Sequence, residues 1–185
     1  MFKNLPNLLT ASRIIVIPFI IFAMLFEESV FWHRLAAILF LYACFTDFLD
    51  GYIARSFSIQ SKLGQFLDPV ADKLLVGSVI VVLVHYDRAD LFPAIAIIGR
   101  EILVSGLREF LSDLSVSVPV SKLSKVKTFV QMAAIFILVL GNKGTGLVFI
   151  DAIGHFSLWV AAILTLITGY AYLRISCKYF KQNNG

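Results

Sequence analysis

The sequence predicts an all-α integral membrane protein whose six transmembrane helices form one bundle. Of the 185 residues, 59% are hydrophobic and only 15% are charged, and the mean hydropathy is +0.87. Soluble domains are usually about 45 to 50% apolar and about 25% charged. The apolar residues also fall into stretches of the length, roughly 20 residues, that crosses a bilayer as a helix. These observations exclude a water-soluble enzyme, a disordered protein and a transmembrane β-barrel, whose strands alternate apolar and polar residues.

The predicted spans together make up a single membrane domain, residues 1–185. In chain order they cover residues 6–26, 31–55, 66–86, 91–112, 122–141 and 147–178. Almost nothing remains outside them for a separate soluble domain.

The first three spans are bounded by residues that begin or interrupt helices. Pro6 suits the start of the first helix, because proline favours the first helical turn. Pro18 lies inside this span and predicts a kink, which membrane helices tolerate. Glu27 and Glu28 separate the first span from the second, and the Ser-rich stretch 56–64 separates the second from the third.

The last three spans are separated by similar signals. Asp87 to Asp90, followed by Pro93, precede the fourth span. The stretch 112–121, which contains Pro119, precedes the fifth, and the glycine-containing stretch 141–146 precedes the sixth. Each break therefore falls between two apolar stretches.

The basic residues predict which way the bundle faces. Six spans place both termini on one side, and thirteen of the sixteen Lys and Arg residues fall at or nearest to that side. These are Lys3, Arg13, Arg55, Lys62, Lys73, Arg100, Arg108, Lys122, Lys125, Lys127, Arg174, Lys178 and Lys181. Because cytoplasmic loops are enriched in Lys and Arg, both termini are expected to be cytoplasmic. The net charge of +4 fits anionic lipid headgroups of the bilayer, and no basic stripe indicates a nucleic-acid partner.

Four aspartates lie close together in otherwise apolar helices. Asp47 and Asp50 are spaced i, i+3, and Asp68 and Asp72 are spaced i, i+4, so each pair shares one helix face. The short loop between the two helices makes them antiparallel neighbours and brings the four carboxylates together. Such charges repel one another unless they are protonated or bound to cations.

Carboxylate oxygens favour hard divalent ions such as Mg²⁺, Mn²⁺ or Ca²⁺. Two such ions would neutralise four carboxylates, and a pair of ions can clamp a phosphate group during its displacement. The alternative is that Arg55 and Lys73 pair with the aspartates and only stabilise the bundle. Two cations do not neutralise four carboxylates, so the metal site is the favoured interpretation.

Small residues accompany the aspartates. Gly51 and Ala54 share a face with Asp47 and would let a ligand approach the helix backbone closely. Gly64, near the next helix start, could present backbone N–H groups to a phosphate. A Gly-x-x-Ala pair by itself is more often a helix-packing feature.

The pattern from Asp47 to Asp72, Asp-x2-Asp-Gly-x2-Ala-Arg-x8-Gly-x3-Asp-x3-Asp, resembles the signature of the CDP-alcohol phosphatidyltransferase family at every position. The resemblance implies a CDP-alcohol phosphotransferase-like bundle of six helices, commonly a homodimer. It also implies an enzyme that displaces CMP from a CDP-linked lipid with an alcohol, using a divalent metal, Mg²⁺ or Mn²⁺, with two ions expected.

The resemblance also assigns roles to individual residues. Asp47, Asp50 and Asp68 would ligate metal, and Asp72 would complete the second metal site and act as the general base. The CDP-lipid would be bound by a further set of residues. These are Asn7, Thr10, Gly51, Ala54, Arg55 and Gly64. Arg13 would also line the donor side of the site. Asn7 and Thr10 equally suit the start of a helix.

A second polar cluster lies in the fourth and fifth spans. Glu101, Ser105 and Arg108 fall on one face of the fourth, and Arg100 lies roughly 80° away. Basic side chains are not needed to bind the metal, so their presence here suggests recognition of a second phosphate group. Snorkelling to lipid headgroups is the alternative, favoured for Lys122 and equally weighted for Lys127.

The runs Arg100 to Phe110, Lys125 to Thr128 and Leu5 to Arg13 resemble the branch of the family whose acceptor is sn-glycerol 3-phosphate. This resemblance implies that Arg100, Arg108 and Lys125 hold the acceptor phosphate. It predicts transfer of the phosphatidyl group from CDP-diacylglycerol to sn-glycerol 3-phosphate, giving phosphatidylglycerol phosphate and CMP. The expected location is the bacterial cytoplasmic membrane, with the active site on the cytoplasmic side.

Two alternatives stay open. Within the family, inositol phosphate, phosphatidylglycerol or serine could be the acceptor. An ion-coupled transporter would also place aspartates in the membrane. A transporter predicts polar residues continuing to the far side, where the spans are nearly all apolar, and paired broken helices, which the sequence does not show.

Overall fold

The structure, a computed structural model, describes the backbone of residues 5–57, 62–113 and 122–183. Side chains are described for residues 8–51, 64, 67–112 and 122–177. Within these ranges the elements are helices and no strand occurs, which confirms the predicted all-α class. The helices are α1 (Leu5–Met24), α2 (Val30–Phe57), α3 (Lys62–His85), α4 (Leu91–Asp113), α5 (Lys122–Thr145) and α6 (Ile150–Asn183).

Among the described residues, three helices contain apolar stretches long enough to cross a membrane. These stretches are Val30–Gly51, Lys122–Thr145 and Ile150–Cys177, and a shorter apolar stretch, Leu8–Met24, lies in α1. Large apolar side chains lie on the outside as well as in the core: Phe92, Phe129 and Phe156 are each more than 70% exposed. Lipid is the solvent in which such a surface is stable, so the chain is an integral membrane protein.

The helices lie close to the predicted spans. They differ by up to five residues, at the end of the sixth, and the fifth was expected to end at residue 141. Helix α5 continues to Thr145 after a break at Gly141, whose φ of 59° and ψ of −178° are not helical. Glycine occupies this positive φ without the steric penalty of other residues.

Packing divides the bundle into two connected groups. Helix α1 packs against α2 and α3, and α6 packs against α5 and α4, while contacts of α5 with α2 and of α4 with α3 join the groups. The core between them contains fully buried apolar side chains from every helix. Examples are Ile20, Phe40, Leu83, Ile97, Leu138 and Leu158.

Polar contacts close the end of the bundle at which α1 finishes. Arg88, between α3 and α4, donates to the carbonyl oxygens of Leu138 and Val139, where α5 breaks. A Cβ at position 141 would overlap the Arg88 guanidinium. Burial lowers the pKa of Arg88 from its ordinary value, and the nearby carboxylates of Asp151 and Glu27 oppose that shift. Arg88 thus ties the α3–α4 connection to the end of α5.

Candidate active site

Arg13 of α1 lies at the centre of a group of aspartates. Its side chain is fully buried, and Nη1 lies 2.6 Å from Oδ1 of Asp47. Nη2 donates to Oδ2 of Asp50. The i, i+3 spacing on α2 therefore does bring Asp47 and Asp50 to one face, and both carboxylates contact the same guanidinium.

Thr10, one turn before Arg13, connects the two aspartate-bearing helices. Its hydroxyl lies 2.6 Å from Oδ1 of Asp68 on α3 and 3.5 Å from Oδ2 of Asp50 on α2. Residues spaced i, i+3 share a helix face, so one face of α1 holds the aspartates of both neighbours. We call Thr10, Arg13, Asp47, Asp50 and Asp68 the aspartate cluster.

A second group of polar residues joins α3, α4, α5 and α6. Oε1 of Glu101 accepts from Nζ of Lys127, whose side chain is only 3% exposed, and lies 3.3 Å from Nη1 of Arg100. Nη2 of Arg100 donates to Oγ1 of Thr168 at 3.1 Å, and Nζ of Lys73 donates to Oγ of Ser105. We call this group the cation cluster. Its members are Lys73, Arg100, Glu101, Ser105, Lys127 and Thr168.

Asp72 is within electrostatic reach of both clusters. Within the described part of the chain it forms no hydrogen bond or ion pair. The charged groups that act on it include Asp47 and Arg13 of the aspartate cluster and Glu101 and Lys127 of the cation cluster. A carboxylate in this position has lone pairs available to a ligand that reaches both clusters.

The donors of the aspartate cluster fit a divalent metal by their chemistry. Carboxylate and hydroxyl oxygens are hard ligands, and the three aspartates of the cluster with Arg13 leave a formal charge of minus two in apolar surroundings, to which Asp72 adds a further negative charge. No three Asp, Glu, His or Cys side chains among the described residues form a ready metal cage. The oxygens of Asp47, Asp50 and Asp68 instead surround Arg13 and Thr10.

Some predicted site residues lie apart from the clusters. Arg108 and Lys125 are exposed, and neither forms a hydrogen bond or ion pair within the described residues. Gly51 is half-buried near the end of α2, and Gly64 is buried in the first turn of α3. The side chains of Asn7, Ala54 and Arg55 lie outside the described ranges.

Three features of the site were not predicted from the sequence. Arg13 was expected beside the donor rather than at the centre of the aspartates. Lys127, weighted equally as a headgroup anchor, is buried in the cation cluster, and Lys73 contacts Ser105 rather than an aspartate. The sequence does contain a signal for the position of Arg13. It is an arginine within an apolar stretch, three residues after a threonine, and a buried charge requires a partner.

Comparison with known proteins gives a consistent result. Residues 3–167 match the model of the CDP-alcohol phosphatidyltransferase family. A CDP-diacylglycerol–glycerol-3-phosphate 3-phosphatidyltransferase of Rickettsia felis is 53% identical over 178 residues, which cover 96% of this chain and 98% of the relative. A protein with the same name from Bacillus subtilis is 38% identical, over 98% of this chain and 99% of the relative. Another from Shigella flexneri is 40% identical, over 92% of this chain and 93% of the relative.

Proposed function

Because the chain belongs to the CDP-alcohol phosphatidyltransferase family, we propose that it transfers the phosphatidyl group of CDP-diacylglycerol to sn-glycerol 3-phosphate. The products are phosphatidylglycerol phosphate and CMP. Relatives that share about half of all residues over nearly the full chain carry this activity in their names. The chain is therefore an enzyme of phospholipid synthesis in a membrane.

The observation that carries the proposal is the presence of two clusters of opposite charge, with Asp72 within electrostatic reach of both. The reaction joins two phosphate-bearing substrates, and each needs its own binding groups. The aspartate cluster suits the metal-bound diphosphate of the donor, and the cation cluster suits the phosphate of the acceptor. We assign the general base to Asp72, whose carboxylate is within electrostatic reach of both clusters.

In the proposed step the free primary hydroxyl of glycerol phosphate attacks the β-phosphorus of the donor. A new P–O bond forms while the bond from phosphorus to the oxygen of CMP breaks. The hydroxyl proton passes to a carboxylate oxygen of Asp72. Thr10 and Arg13 hold the neighbouring carboxylates in place during this exchange.

Enzymes of this family generally use a divalent metal, which stabilises charge on the diphosphate when bound. We assign its ligands to Asp47, Asp50, Asp68 and Asp72, for two Mg²⁺ or Mn²⁺ ions. The hard oxygen donors and the excess negative charge of the aspartate cluster support this assignment.

The remaining binding roles follow the same division. Donor binding is assigned to Asn7, Thr10, Gly51, Ala54, Arg55 and Gly64. Acceptor binding is assigned to Arg100, Arg108 and Lys125. The contacts of Thr10 with Asp50 and Asp68 place it in the aspartate cluster and support its role on the donor side. The contact of Arg100 with Glu101 places it in the cation cluster and supports its role on the acceptor side.

The proposed topology has all six helices crossing the membrane as one domain of a homodimer. Both termini and the active site would face the cytoplasm. Two features support this arrangement: the aspartate cluster lies in the half of the bundle where α1 begins, and most basic residues lie nearest to that end.

The test is an assay of the purified protein in mixed micelles of detergent and CDP-diacylglycerol with Mg²⁺. Separate reactions contain sn-glycerol 3-phosphate, inositol phosphate, serine or phosphatidylglycerol, and the lipid product is identified by mass spectrometry. We expect phosphatidylglycerol phosphate and an equal amount of CMP in the first reaction only. A lipid product from another acceptor alone would overturn the assignment of the acceptor.

A further inference from the structure

Lys73 carries a positive charge that no carboxylate compensates among the described residues. Its Nζ donates to the hydroxyl of Ser105 on α4, which is neutral. The side chain is half-buried in a bundle whose surroundings are apolar. An uncompensated ammonium group in such surroundings is costly and indicates a ligand or a function.

The position of Lys73 in α3 argues against a headgroup anchor. It lies eleven residues after the first residue of α3, which is roughly 16 Å at 1.5 Å per residue. Lysines that reach lipid headgroups lie near the ends of helices. Lys73 also does not pair with Asp68 or Asp72, because spacings of five and one residues place them on other parts of the helix surface.

Open space is available beside Lys73. A cavity of about 210 Å³ between α3 and α4 is lined by Lys73 and Glu101 together with apolar residues. A Cβ added at Gly77, on the wall of this cavity, would meet no atom within 4 Å. The ammonium group thus borders a space into which a small ligand can extend.

The balance of charge defines the class of that ligand. Lys73, Arg100 and Lys127 carry three positive charges, and Glu101 supplies one negative charge. Glu101 contacts Arg100 and Lys127 and leaves Lys73 uncompensated. The excess of about two positive charges matches a phosphate monoester, which is largely dianionic at neutral pH because its second pKa is about 6.

We propose that Lys73, which is hydrogen-bonded to Ser105, binds the phosphate group of the acceptor alcohol. This inference rests on the proposed function, which places a phosphorylated acceptor on the side of the cation cluster. Lys73 follows Asp72 directly in α3, and successive residues on a helix point about 100° apart. Because the two residues are adjacent in the chain, a small acceptor whose phosphate contacts Lys73 can direct its hydroxyl toward Asp72.

The experiment compares Lys73→Met and Lys73→Arg with the unaltered protein in steady-state assays. A hydrogen bond to a charged group corresponds to about tenfold or more in affinity. Lys73→Met should raise KM for sn-glycerol 3-phosphate about tenfold, leave KM for CDP-diacylglycerol within about twofold, and be largely rescued in Lys73→Arg. Ser105→Ala should show a smaller rise in the same constant. Lys143→Met, which removes an exposed lysine at the other end of the bundle, is the matched control.

A binding measurement with inorganic phosphate separates this inference from the proposed function. Phosphate should raise the thermal unfolding temperature of the unaltered protein and of Lys143→Met, but not of Lys73→Met. If the protein makes no phosphatidylglycerol phosphate and this difference is still seen, the proposed function fails and the phosphate site stands. If Lys73→Met keeps the normal KM for sn-glycerol 3-phosphate, or the normal shift with phosphate, the inference is overturned.

Discussion

At the scale of single residues, Arg13 determines the electrostatics of the aspartate cluster. One buried guanidinium contacts Asp47 and Asp50, while Asp68 is held by a neutral hydroxyl. The cluster therefore keeps an excess of negative charge that a metal ion can neutralise. Arg13 also limits this excess, so we expect it to affect both the stability of the fold and the affinity of the proposed metal site.

Replacing Arg13 by Met should lower the free energy of unfolding by about 3 kcal/mol, because a buried pair loses one partner and leaves uncompensated carboxylates. The same change makes the cluster more negative, so added Mg²⁺ should raise the unfolding temperature of Arg13→Met more than that of the unaltered protein. Thermal unfolding in detergent with and without Mg²⁺ measures both effects. Arg34→Met, which removes an exposed arginine, is the control, and equal Mg²⁺ responses would contradict the prediction.

The roles assigned to Asp68 and Asp72 lead to a sharper prediction about activity. Asp68→Asn or Asp72→Asn should reduce CMP release at saturating Mg²⁺ by about 100-fold or more, since a general base alone contributes at least that much. Asp90→Asn provides the control, because Asp90 accepts from Trp159 at the other end of the bundle. Full activity in either active-site variant would refute the mechanism.

The aspartates show how far single residues could be predicted from the sequence. The spacing of Asp47 and Asp50 correctly placed them on one face of α2, because helix geometry alone decides this. It did not place Arg13 between them, since that depends on which face of α1 packs against α2. Local spacing defines a face, whereas the partner of that face depends on tertiary packing.

At the scale of elements, α5 illustrates the same limit. Lys125 and Lys127 are two residues apart, so their side chains point about 200° apart around the helix. Lys125 is exposed, while Lys127 is buried against Glu101. The sequence shows two lysines on nearly opposite faces but does not show which face meets α4.

This difference between the two lysines can be measured. Lys127→Met should lower the free energy of unfolding by about 1 to 3 kcal/mol, because Glu101 loses a buried charged partner. Lys125→Met removes an exposed charge and should leave stability within about 0.5 kcal/mol. Denaturant unfolding followed by circular dichroism gives both values. The reverse order would mean that the contact with Glu101 does not stabilise the bundle.

The exposed position of Arg108 on α4 leads to another prediction. Arg108→Ala should mainly raise the concentration of sn-glycerol 3-phosphate needed for half-maximal rate, with little change in stability, since no contact within the described residues is lost. Steady-state assays with each substrate varied in turn measure this effect. A change confined to CDP-diacylglycerol would show that Arg108 serves the donor instead.

At the scale of the whole molecule, the two ends of the bundle differ in their polar contacts. The half in which α1 begins carries the aspartate cluster, and the opposite end is closed by contacts around Arg88, Gly141 and Asp151. Composition and turn signals predicted the order and approximate limits of the helices, because each apolar stretch is long and its breaks are polar. They did not predict the extension of α5 beyond Gly141, which lies beside the Arg88 contact.

Gly141→Ala should therefore weaken the fold without changing the chemistry. The added methyl group would displace the Arg88 guanidinium and would also strain a backbone with positive φ, at a cost of about 1 to 3 kcal/mol. The unfolding temperature should fall, while KM for both substrates stays within about twofold. Gly146→Ala, at a positive φ with open space around it, separates backbone strain from displacement of Arg88. A large change in either KM would show that the two ends are coupled.

The pairing of Arg13 with α2 also affects how the protein enters the membrane. During synthesis Arg13 leaves the ribosome 37 residues before Asp50, its buried partner. An unpaired arginine within an inserting helix costs up to about 3 kcal/mol, so we expect α1 alone to insert poorly. Once α2 has followed, the opposite charges compensate each other. We therefore expect α1 and α2 to enter the membrane together as a helical hairpin, in which Arg13 already has its partners.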